Sequence, residues 1–310
     1  MATVLITGGT GMIGTVLCKA LVAKNYEVII LTRTPDHKIA PAPGISYAGW
    51  DLKKQTIDNN AIASADHIIH LAGADVGAKR WSAKRKKEIV DSRVRSGELL
   101  VKALRELPNQ VKTVVSASGM GWYGPDENGN PERRDGFVET DPPASDFLGQ
   151  TCQKWEAVLE PVKKMGKRWV RFRAGIVLSD KGGALVEFLK PLGFGLATIL
   201  GSGNQIVSWI HVEDMVRLYI RAIEDEKLEG VYNAVSPMPV SNKELILELA
   251  KAKRGKLFIP VYVPAFLLKL VFGEMSTEVL KSTRVNSNKI RDAGFTFQFP
   301  SIQSALKQFF

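Results

Sequence analysis

Short apolar runs alternate with helical patterns along the first 180 residues of the chain. The runs are nearly continuous in Val, Ile and Leu, which is typical of strands that helices cover on both faces of a sheet. This pattern predicts an α/β fold with a doubly wound parallel sheet, whose ligand binds at the carboxyl ends of the strands. The predicted strands are TVLIT (3–7), EVIILT (27–32), ISYAGW (45–50), HIIHLA (67–72), KTVVSAS (112–118) and RWVRFRAGIVL (168–178).

The alternation changes after residue 178. SWIHV (208–212), a helix from about Glu213 and GVYNAV (230–235) predict a return to the sheet. Helices and Pro/Gly-rich connections are expected elsewhere, packed together as a smaller, mostly helical lid. We predict one domain over 1–178 plus 206–235 and a substrate or lid domain over 179–205 plus 236–310, with the substrate between them.

Composition places the chain among ordinary globular proteins. It has 310 residues, 45% hydrophobic and 24% charged, and we expect it to be soluble. The first strand begins without a charged leader, so a cytoplasmic location is expected. The longest apolar run, VYVPAFLLKLVFG (261–273), is shorter than the roughly 20 residues that a bilayer requires. We expect a packed helix there and no membrane partner.

Charge and cysteine content limit the classes of ligand that we expect the chain to bind. A net charge of +10 favours an anionic small molecule as substrate. The densest basic run, KRWSAKRKKEIVDSRVR (79–95), has one aromatic residue and is typical of a solvated helix face, so no nucleic-acid partner is expected. Cys18 and Cys152 form neither a zinc cage nor a disulfide framework, so no metal is expected. The oligomeric state is not predicted.

A glycine-rich turn follows the first predicted strand. TGGTGMIG (7–14) places Gly8, Gly11 and Gly14 between a strand and a helix. Gly8 permits the tight turn, Gly11 lets the backbone touch a pyrophosphate at the helix N-terminus, and Gly14 allows the helix to lie close to the sheet. We therefore predict a Rossmann-type dinucleotide site, which also includes Thr10, Met12 and Ile13.

The end of the second strand indicates which dinucleotide binds. An acidic residue there would bind the ribose 2′-hydroxyl, but LTRTP (31–35) supplies Thr32 and Arg33. Because arginine grips phosphate with two parallel hydrogen bonds, NADP(H) is the predicted cofactor. Asp51, next to Leu52 in GWDL (49–52), is placed to accept from the adenine amino group. HLAG (70–73) ends the fourth predicted strand close to the ribose and pyrophosphate.

Arg93 lies on the inward stripe of a helix that begins near Ala83. That stripe is predicted from steps of three and four through Ile89, Arg93, Ser96, Leu100, Ala103 and Leu107. A buried arginine needs a partner. Glu88 and Asp91 could supply it, or Arg93 could reach the phosphate or ribose of the cofactor, and the two roles can coexist.

Longer motifs resemble a known family. The glycine turn, HLAG and VKTVVSASGMGWYG (111–124) resemble the extended short-chain dehydrogenase/reductase superfamily. AGADVGAKRWS, SRVRSGELLVKAL, FLGQTCQKWEA, RAGIVLSDKGGAL, GSGNQIVSWIHVEDM, NAVSPMPVSNKEL and DAGFTFQFPSIQSALKQ resemble its NAD(P)-dependent epimerase/dehydratase-like subfamily, which has a C-terminal domain of unknown function. Beyond the glycine turn, the resemblance implies NADP(H) contacts at Thr32, Arg33, Leu71, Ala72, Glu88, Arg93 and Val177. We add Asp51, Leu52, Gly73 and Ser116 to this predicted site.

The superfamily transfers protons with a serine and a Y-x-x-x-K pair, whose lysine lowers the pKa of the tyrosine. Aligning the helix on Glu156 puts Leu148 at the tyrosine position and Cys152 at the lysine position. Aligning the strand on YG (123–124) puts Gly119 at the serine position. Leu148, Cys152, Trp155 and Leu159 instead form an apolar stripe, so the usual mechanism is excluded if this alignment holds.

Other proton donors are weaker candidates. Tyr123 follows the fifth predicted strand with Ser118 nearby, although a tyrosine in WYG is more often structural. His211 in SWIHVEDM is a second candidate for substrate contact, but a histidine at this place is usually a structural residue. Two functions stay open: an NADP(H)-dependent oxidoreductase or sugar-nucleotide epimerase with a non-standard acid, and a non-catalytic NADP(H)-dependent sensor.

Overall fold

The computed structural model describes residues 1–35, 42–126 and 135–310. The strands are β1 (Thr3–Thr7), β2 (Glu27–Thr32), β3 (Ile45–Asp51), β4 (Thr56–Ile57), β5 (His67–His70), β6 (Thr113–Gly119), β7 (Arg168–Ala174), β8 (Ile176–Leu178), β9 (Leu196–Leu200), β10 (Ile206–Val207), β11 (Trp209–His211), β12 (Gly230–Ala234), β13 (Val240–Ser241) and β14 (Ile259–Val263). The α-helices are α1 (Met12–Ala23), α2 (Asn59–Ser64), α3 (Ala83–Glu106), α4 (Phe147–Ala157), α5 (Pro161–Lys164), α6 (Ala184–Gly193), α7 (Val212–Glu224), α8 (Asn242–Arg254), α9 (Ala265–Phe272), α10 (Ser276–Leu280), α11 (Asn288–Asp292) and α12 (Ile302–Lys307). Short 3-10 helices span Met120–Trp122 and Gly273–Met275.

The main sheet has eight strands in the order β12-β7-β6-β5-β1-β2-β3-β4. Neighbouring strands are parallel except for β3 and β4. The chain winds away from β1 in one direction through β2 and in the other through β5. The predicted doubly wound α/β fold is confirmed, and the crevice where such sheets bind ligands lies at the carboxyl end of β1.

Helices cover both faces of this sheet. Val4 and Ile6 of β1 belong to a core shared with α1 and α7, whereas Leu5 belongs to a second core shared with α2, α3 and α5. All three side chains are fully buried. Because successive side chains of a strand point to opposite faces, a continuous apolar run is what two covered faces require.

The two segments predicted to form the lid pack against each other. β9 pairs in parallel with β14, and Leu185 and Ile199 share a core with Leu245, Leu249 and Ile302. The same core also includes Leu178 and Trp209 from the neighbouring strands. The exact domain boundaries stay a prediction.

Two predicted strands differ in the structure. The run 168–178 breaks at Gly175 into β7 and β8, because the amide of Gly175 still donates to Ala234 of β12 whereas the amide of Ile176 donates to Ser208. Only glycine fits this close approach, since an added Cβ would lie 2.6 Å from the carbonyl oxygen of Ser208. β8 then pairs with β11 in a separate two-stranded sheet. The expected return of 208–212 to the main sheet is therefore wrong, whereas 230–234 does rejoin it beside β7.

The apolar run 261–273 is also different. It begins in β14 and continues as α9, so the predicted helix covers only its second part. Leu268 is the buried residue of α9, whereas Phe266 and Leu270 are 68% and 71% exposed. The expectation of a packed helix is wrong for most of this surface. Within the described residues, no helix combines the length and hydropathy needed to cross a membrane.

Candidate cofactor and active site

The glycine turn forms a tight connection from β1 to α1. Gly8 adopts φ +72°, and the amide of Gly11 donates to its carbonyl oxygen across 3.0 Å. A Cβ at Gly14 would lie 2.2 Å from the same oxygen, so only glycine fits there. Gly11 is the N-cap of α1 and brings no capping side chain, and the first amides of a helix favour an anion. The turn therefore has the form of a pyrophosphate cradle, with Thr10, Met12 and Ile13 lining it.

The end of β5 is tied directly to the glycine turn. The hydroxyl of Thr7 accepts from the amides of Leu71 and Ala72, both across 3.1 Å. A Cβ at Gly8 would lie 3.0 Å from the carbonyl carbon of Leu71. The structure thus brings the glycine turn and HLAG together, including exposed Gly73.

A buried series of hydrogen-bonded side chains, Thr7, His70 and Ser96, lies beneath the ends of β1 and β5, and the sequence analysis did not predict it. Thr7 Oγ1 lies 2.7 Å from Nδ1 of His70, whose Nε2 lies 3.3 Å from Ser96 Oγ. Because Thr7 already accepts two amides, it donates its proton to Nδ1, which leaves the proton of His70 on Nε2. Burial lowers the pKa of His70 to about 4, and Arg93 acts in the same direction. The available signal was a polar residue at the end of each apolar run.

The predicted adenosine contacts lie at neighbouring strand ends. β2 and β3 pair in parallel with Thr32 opposite Gly49, so exposed Arg33 directly follows β2 and half-buried Asp51 ends the adjacent β3. The carboxylate of Asp51 accepts from the amides of Lys53 and Lys54, across 2.7 and 3.1 Å. These hydrogen bonds hold the pKa of Asp51 below its usual range. Half-buried Leu52 follows directly.

Arg93 is buried beneath HLAG, as its place on the stripe predicted. Its guanidinium donates to the carbonyl oxygens of Ala74 and Ile89, each across 3.0 Å. It lies 4.7 Å from the ring of Trp155, and a Cβ at Gly73 would lie 3.1 Å from its Cζ. The guanidinium therefore sits directly against the backbone that the resemblance assigns to the cofactor.

Neither acidic neighbour on the helix pairs with Arg93. Glu88 accepts from Arg85 across 2.7 Å, and Asp91 accepts from Lys87 across 2.8 Å. The salt-bridge alternative is therefore wrong, since backbone carbonyls and an aromatic ring take its place. The cofactor role of Glu88, whose side chain is exposed, stays a prediction.

Two further predicted contacts differ in environment. Val177, in β8, and Met12 both lie close to Gly183. A Cβ added to Gly183 would be 3.1 Å from the Met12 sulfur and 3.6 Å from the Val177 carbonyl oxygen. The hydroxyl of Ser116 instead accepts from the indole of Trp169 across 3.0 Å. Ser116 is buried, and its contact with the cofactor stays a prediction.

Helix α4 lies against the end of β6 with the residues that the alignment paired. The thiol of Cys152 donates to the carbonyl oxygen of Gly119 across 3.6 Å, and a Cβ at Gly121 would lie 3.0 Å from Cβ of Leu148. Burial raises the pKa of Cys152 to about 12, although Arg93 acts in the opposite direction. The thiol is therefore neutral and is a poor nucleophile.

The polar side chains near this face are already paired with one another. Ser118 donates to Glu156 across 2.7 Å, and Glu156 also binds Arg173 across 2.8 Å. The hydroxyl of Tyr123 donates to Asn233 across 2.6 Å and accepts from Arg173 across 3.1 Å. Burial raises the pKa of fully buried Tyr123 to about 12. This environment favours a structural role for Tyr123 and makes it a weak acid.

Sequence reasoning did not find Arg173 or Asn233. Arg173 lies in β7 and Asn233 in β12, which are adjacent strands of the main sheet with these two residues in register. The guanidinium of Arg173 stacks 3.6 Å from the ring of Trp122. A charge inside an apolar run was the one signal, since a buried arginine needs hydrogen-bond or charge partners.

His211 lies away from this network, at the start of α7. Its Nδ1 accepts from the amide of Glu213, and its ring packs 3.9 Å from Phe299 and 4.7 Å from Phe309. Burial lowers the pKa of His211 to about 4, although Asp214 acts in the opposite direction. Its contacts are those of a neutral helix cap, and substrate contact stays a prediction. Within the described residues, no group of three His, Cys, Asp or Glu side chains could hold a metal ion.

Comparison with known proteins identifies the family. Residues 4–147 match the NAD dependent epimerase/dehydratase family, and 263–309 match a domain of unknown function, DUF1731. Epimerase family protein SSP1921 of Staphylococcus saprophyticus is 35% identical, over 98% of this chain and 97% of its own length. The chain belongs to the epimerase family.

Other members of the epimerase family agree with this assignment. A chloroplastic homolog of epimerase family protein SDR39U1 from Arabidopsis thaliana is 32% identical over 98% of this chain and 86% of its own. The crystal structure of human epimerase family protein SDR39U1 with NADPH superposes with a TM-score of 0.84. It is 30% identical and covers 99% of this chain and 98% of its own. The resemblance drawn from the motifs is confirmed.

Proposed function

We propose that this epimerase-family chain is an NADP(H)-binding oxidoreductase or sugar-nucleotide-epimerase-like protein that works without the serine, tyrosine and lysine of the superfamily. One combination carries the proposal: the Cys152 thiol lies against the Gly119 carbonyl, and the glycine turn is intact. The first feature leaves no ordinary acid at that position, and the second retains the nucleotide site.

The nucleotide site fits NADP(H). Gly14 leaves the backbone space that a pyrophosphate cradle needs, and Arg33 offers a guanidinium where an acidic residue would select NAD(H). Asp51 would accept from the adenine amino group, and Arg93 would stiffen the backbone of HLAG beneath the ribose. Human SDR39U1, which superposes with a TM-score of 0.84, was crystallised with NADPH, which supports the same cofactor here. The bound cofactor would supply hydride chemistry.

The chain itself would mainly position reactants. Leu148 and Cys152 form a weakly polar wall, and the neutral thiol is committed to a carbonyl. Ser118 and Tyr123 already donate their protons within the buried network. We infer that a proton exchanged with an anionic substrate passes through water, and that orientation provides most of the rate enhancement. A net charge of +10 supports an anionic substrate.

A substrate screen tests this function. Candidate carbonyl compounds and nucleotide-linked sugars would be incubated with protein and NADPH or NADP⁺, with nicotinamide absorbance recorded and sugar products separated by chromatography. Turnover that survives Tyr123→Phe and is lost in a Gly14 variant supports the proposal. A complete lack of turnover for the wild type, with NADPH bound, argues for the second function.

The second candidate is a non-catalytic NADP(H)-dependent sensor. It is favoured by the paired state of Ser118, Glu156, Arg173, Tyr123 and Asn233, which form a packed network rather than a set of free reacting groups. In a sensor, the cofactor would shift the population of lid positions. Mass spectrometry of what copurifies separates the two: a small metabolite supports the oxidoreductase, and a stoichiometric protein partner supports the sensor. A cytoplasmic location stays a prediction for either.

A further inference from the structure

A large apolar surface of the second region faces solvent. We define it as the outer face, made of Phe194 and Leu196 around the start of β9, Leu257 before β14, Ile259 and Val261 in β14, and Phe266, Leu267, Leu270 and Val271 in α9. Phe194 is 87% exposed and Leu257 is 79% exposed. Apolar groups that cluster on a surface in this way mark a site of interaction.

The parts of the outer face are connected. Ile259 pairs with Leu196, and the amide of Ile259 donates to the carbonyl oxygen of Gly195 across 2.8 Å. Arg254 donates to the carbonyl oxygens of Leu257 and Gly193, which joins the turn at Phe194 to the turn before β14. Helix α9 follows β14 after Pro264 alone.

Helix α9 is amphipathic, but its apolar side faces solvent instead of the core. At about 100° per residue, Phe266, Leu267, Leu270 and Val271 occupy an arc of roughly 140°. All four are exposed, whereas Leu268 on the opposite side is buried. Exposed Lys269 lies at the edge of the apolar arc. An apolar solvent-facing arc with a cation at its border is the arrangement of a helix that rests at a membrane interface.

Charge completes the description of the outer face. Segments 188–200 and 249–273 contain no Asp or Glu, and they carry Lys190, Lys251, Lys253, Arg254, Lys256 and Lys269. Lys190 and Lys251 pair with Glu187 and Glu248, which lie just outside the segments. Lys253 lies over the ring of Phe310. The cations next to the apolar residues in the chain are therefore Arg254, Lys256 and Lys269, and they give the outer face a basic border that complements an anionic surface.

We propose that the outer face docks the protein on a bilayer surface that contains anionic lipids. A second copy of the chain fits less well, because a twofold contact would bring two basic borders together without acidic residues from these segments to pair with them. A folded protein partner would need pockets for side chains as prominent as Phe194 and Leu257, whereas lipid adapts to them. This proposal departs from the expectation of no membrane partner, and it is independent of the cofactor and of turnover.

Vesicle cosedimentation tests the proposal with the full chain. Vesicles of phosphatidylcholine mixed with phosphatidylglycerol are expected to carry down the wild type, and vesicles of phosphatidylcholine alone to carry down much less. The double variant Phe266→Ser/Leu270→Ser is expected to lose binding. Its matched control is Met238→Ser, which removes an apolar side chain that is 54% exposed elsewhere and should bind like the wild type.

Two double charge-reversal variants distinguish docking through the outer face from general attraction of a basic protein to an anionic membrane. Lys256→Glu/Lys269→Glu should lower partitioning by about tenfold or more, since each cation near an anionic membrane contributes about 1 kcal/mol. Lys19→Glu/Lys227→Glu makes the same change of net charge at exposed positions outside the outer face and should have a much smaller effect. Circular dichroism and NADPH titration verify that every variant is folded.

Four results would overturn the proposal. They are no cosedimentation with the anionic vesicles, equal binding to neutral vesicles, equal losses for the two charge pairs, and unchanged binding by Phe266→Ser/Leu270→Ser. A dimer that sedimentation velocity detects, and that Phe266→Ser/Leu270→Ser dissociates while vesicle binding is absent, would assign the outer face to a second copy instead.

Discussion

The thiol of Cys152 donates to the carbonyl oxygen of Gly119 across 3.6 Å, at the junction of α4 and β6. These are the positions at which the superfamily alignment would place a lysine and a serine. The thiol is neutral, because burial raises its pKa to about 12. Neither position therefore carries a group that ionises near neutral pH.

Arg33→Glu tests the choice of cofactor. The change removes a guanidinium that would bind the 2′-phosphate and adds a repelling charge, while NADH keeps its contacts. We expect NADPH affinity to fall by about tenfold or more, since charge-assisted hydrogen bonds contribute about 1.5–3 kcal/mol. Calorimetric titration with both nucleotides measures the ratio, with exposed Lys19→Glu as the charge control. Equal losses for NADPH and NADH would show that Arg33 does not bind the phosphate.

Gly14→Ala tests the glycine cradle. Its Cβ would lie 2.2 Å from the carbonyl oxygen of Gly8, so α1 must move away from the turn. We expect loss of NADPH binding and a free energy of unfolding lowered by about 1–3 kcal/mol, the usual cost of overpacking. Urea denaturation and nucleotide titration measure the two effects. Gly193→Ala is the control, because nothing lies within 4 Å of its added Cβ. Normal NADPH affinity in Gly14→Ala would contradict the cradle.

The sequence predicted the glycine turn and the strand ends around it but not the polar network, for a physical reason. A glycine motif and parallel strand ends are local features, so Gly8, Gly11 and Gly14 could be placed from spacing alone. Arg173 and Asn233 meet only after β7 and β12 pair, 60 residues apart in the chain. No local sequence pattern in either segment predicts that Arg173 and Asn233 lie side by side.

Two other differences have the same origin. Helical spacing correctly predicted that Arg93 is buried, but it could not predict that a loop carbonyl at Ala74 would replace Glu88 as its partner. Apolar composition predicted burial for 261–273, yet Phe266 and Leu270 remain exposed. An apolar composition shows that burial of a surface is favourable. It does not show whether residues of the same chain bury that surface.

Tyr123→Phe tests whether this tyrosine is structural. The change leaves Asn233 without its donor and Arg173 without one acceptor. We expect the free energy of unfolding to fall by about 1–3 kcal/mol, the cost of an unsatisfied buried group, with kcat of any nicotinamide-linked turnover unchanged. Urea denaturation and steady-state kinetics measure these quantities. Tyr262→Phe, at a side chain 49% exposed, should change neither. A kcat lowered a hundredfold at constant stability would instead make Tyr123 the acid.

The buried histidines predict how stability depends on pH. Burial lowers the pKa values of His70 and His211 to about 4, below the usual histidine value of 6.5. The unfolded chain therefore binds protons first as pH falls, so stability is complete above about pH 6.5 and decreases toward pH 4. Each histidine should contribute a slope of about 1.4 kcal/mol per pH unit in that window. Urea denaturation between pH 5 and 6.5, where most carboxylates stay ionised, measures it.

The variant His70→Asn isolates one histidine. It should reduce the slope of unfolding free energy against pH, measured between pH 5 and 6.5, by the contribution of one histidine, about 1.4 kcal/mol per pH unit. This holds whatever its effect on stability at pH 7. An NMR titration of the imidazole gives an independent value. A His70 that titrates near 6.5 in the folded protein would contradict the buried, neutral tautomer bonded to Thr7.

A crystal structure of the protein with NADPH tests the central claim most directly. We predict the 2′-phosphate on Arg33, the pyrophosphate on the glycine turn and the nicotinamide ring beside Leu148 and Cys152, with no tyrosine hydroxyl or lysine ammonium within hydrogen-bond reach of the substrate side of the ring. A nicotinamide flanked by a tyrosine and a lysine, or a glycine turn that stays empty at saturating NADPH, would contradict the account.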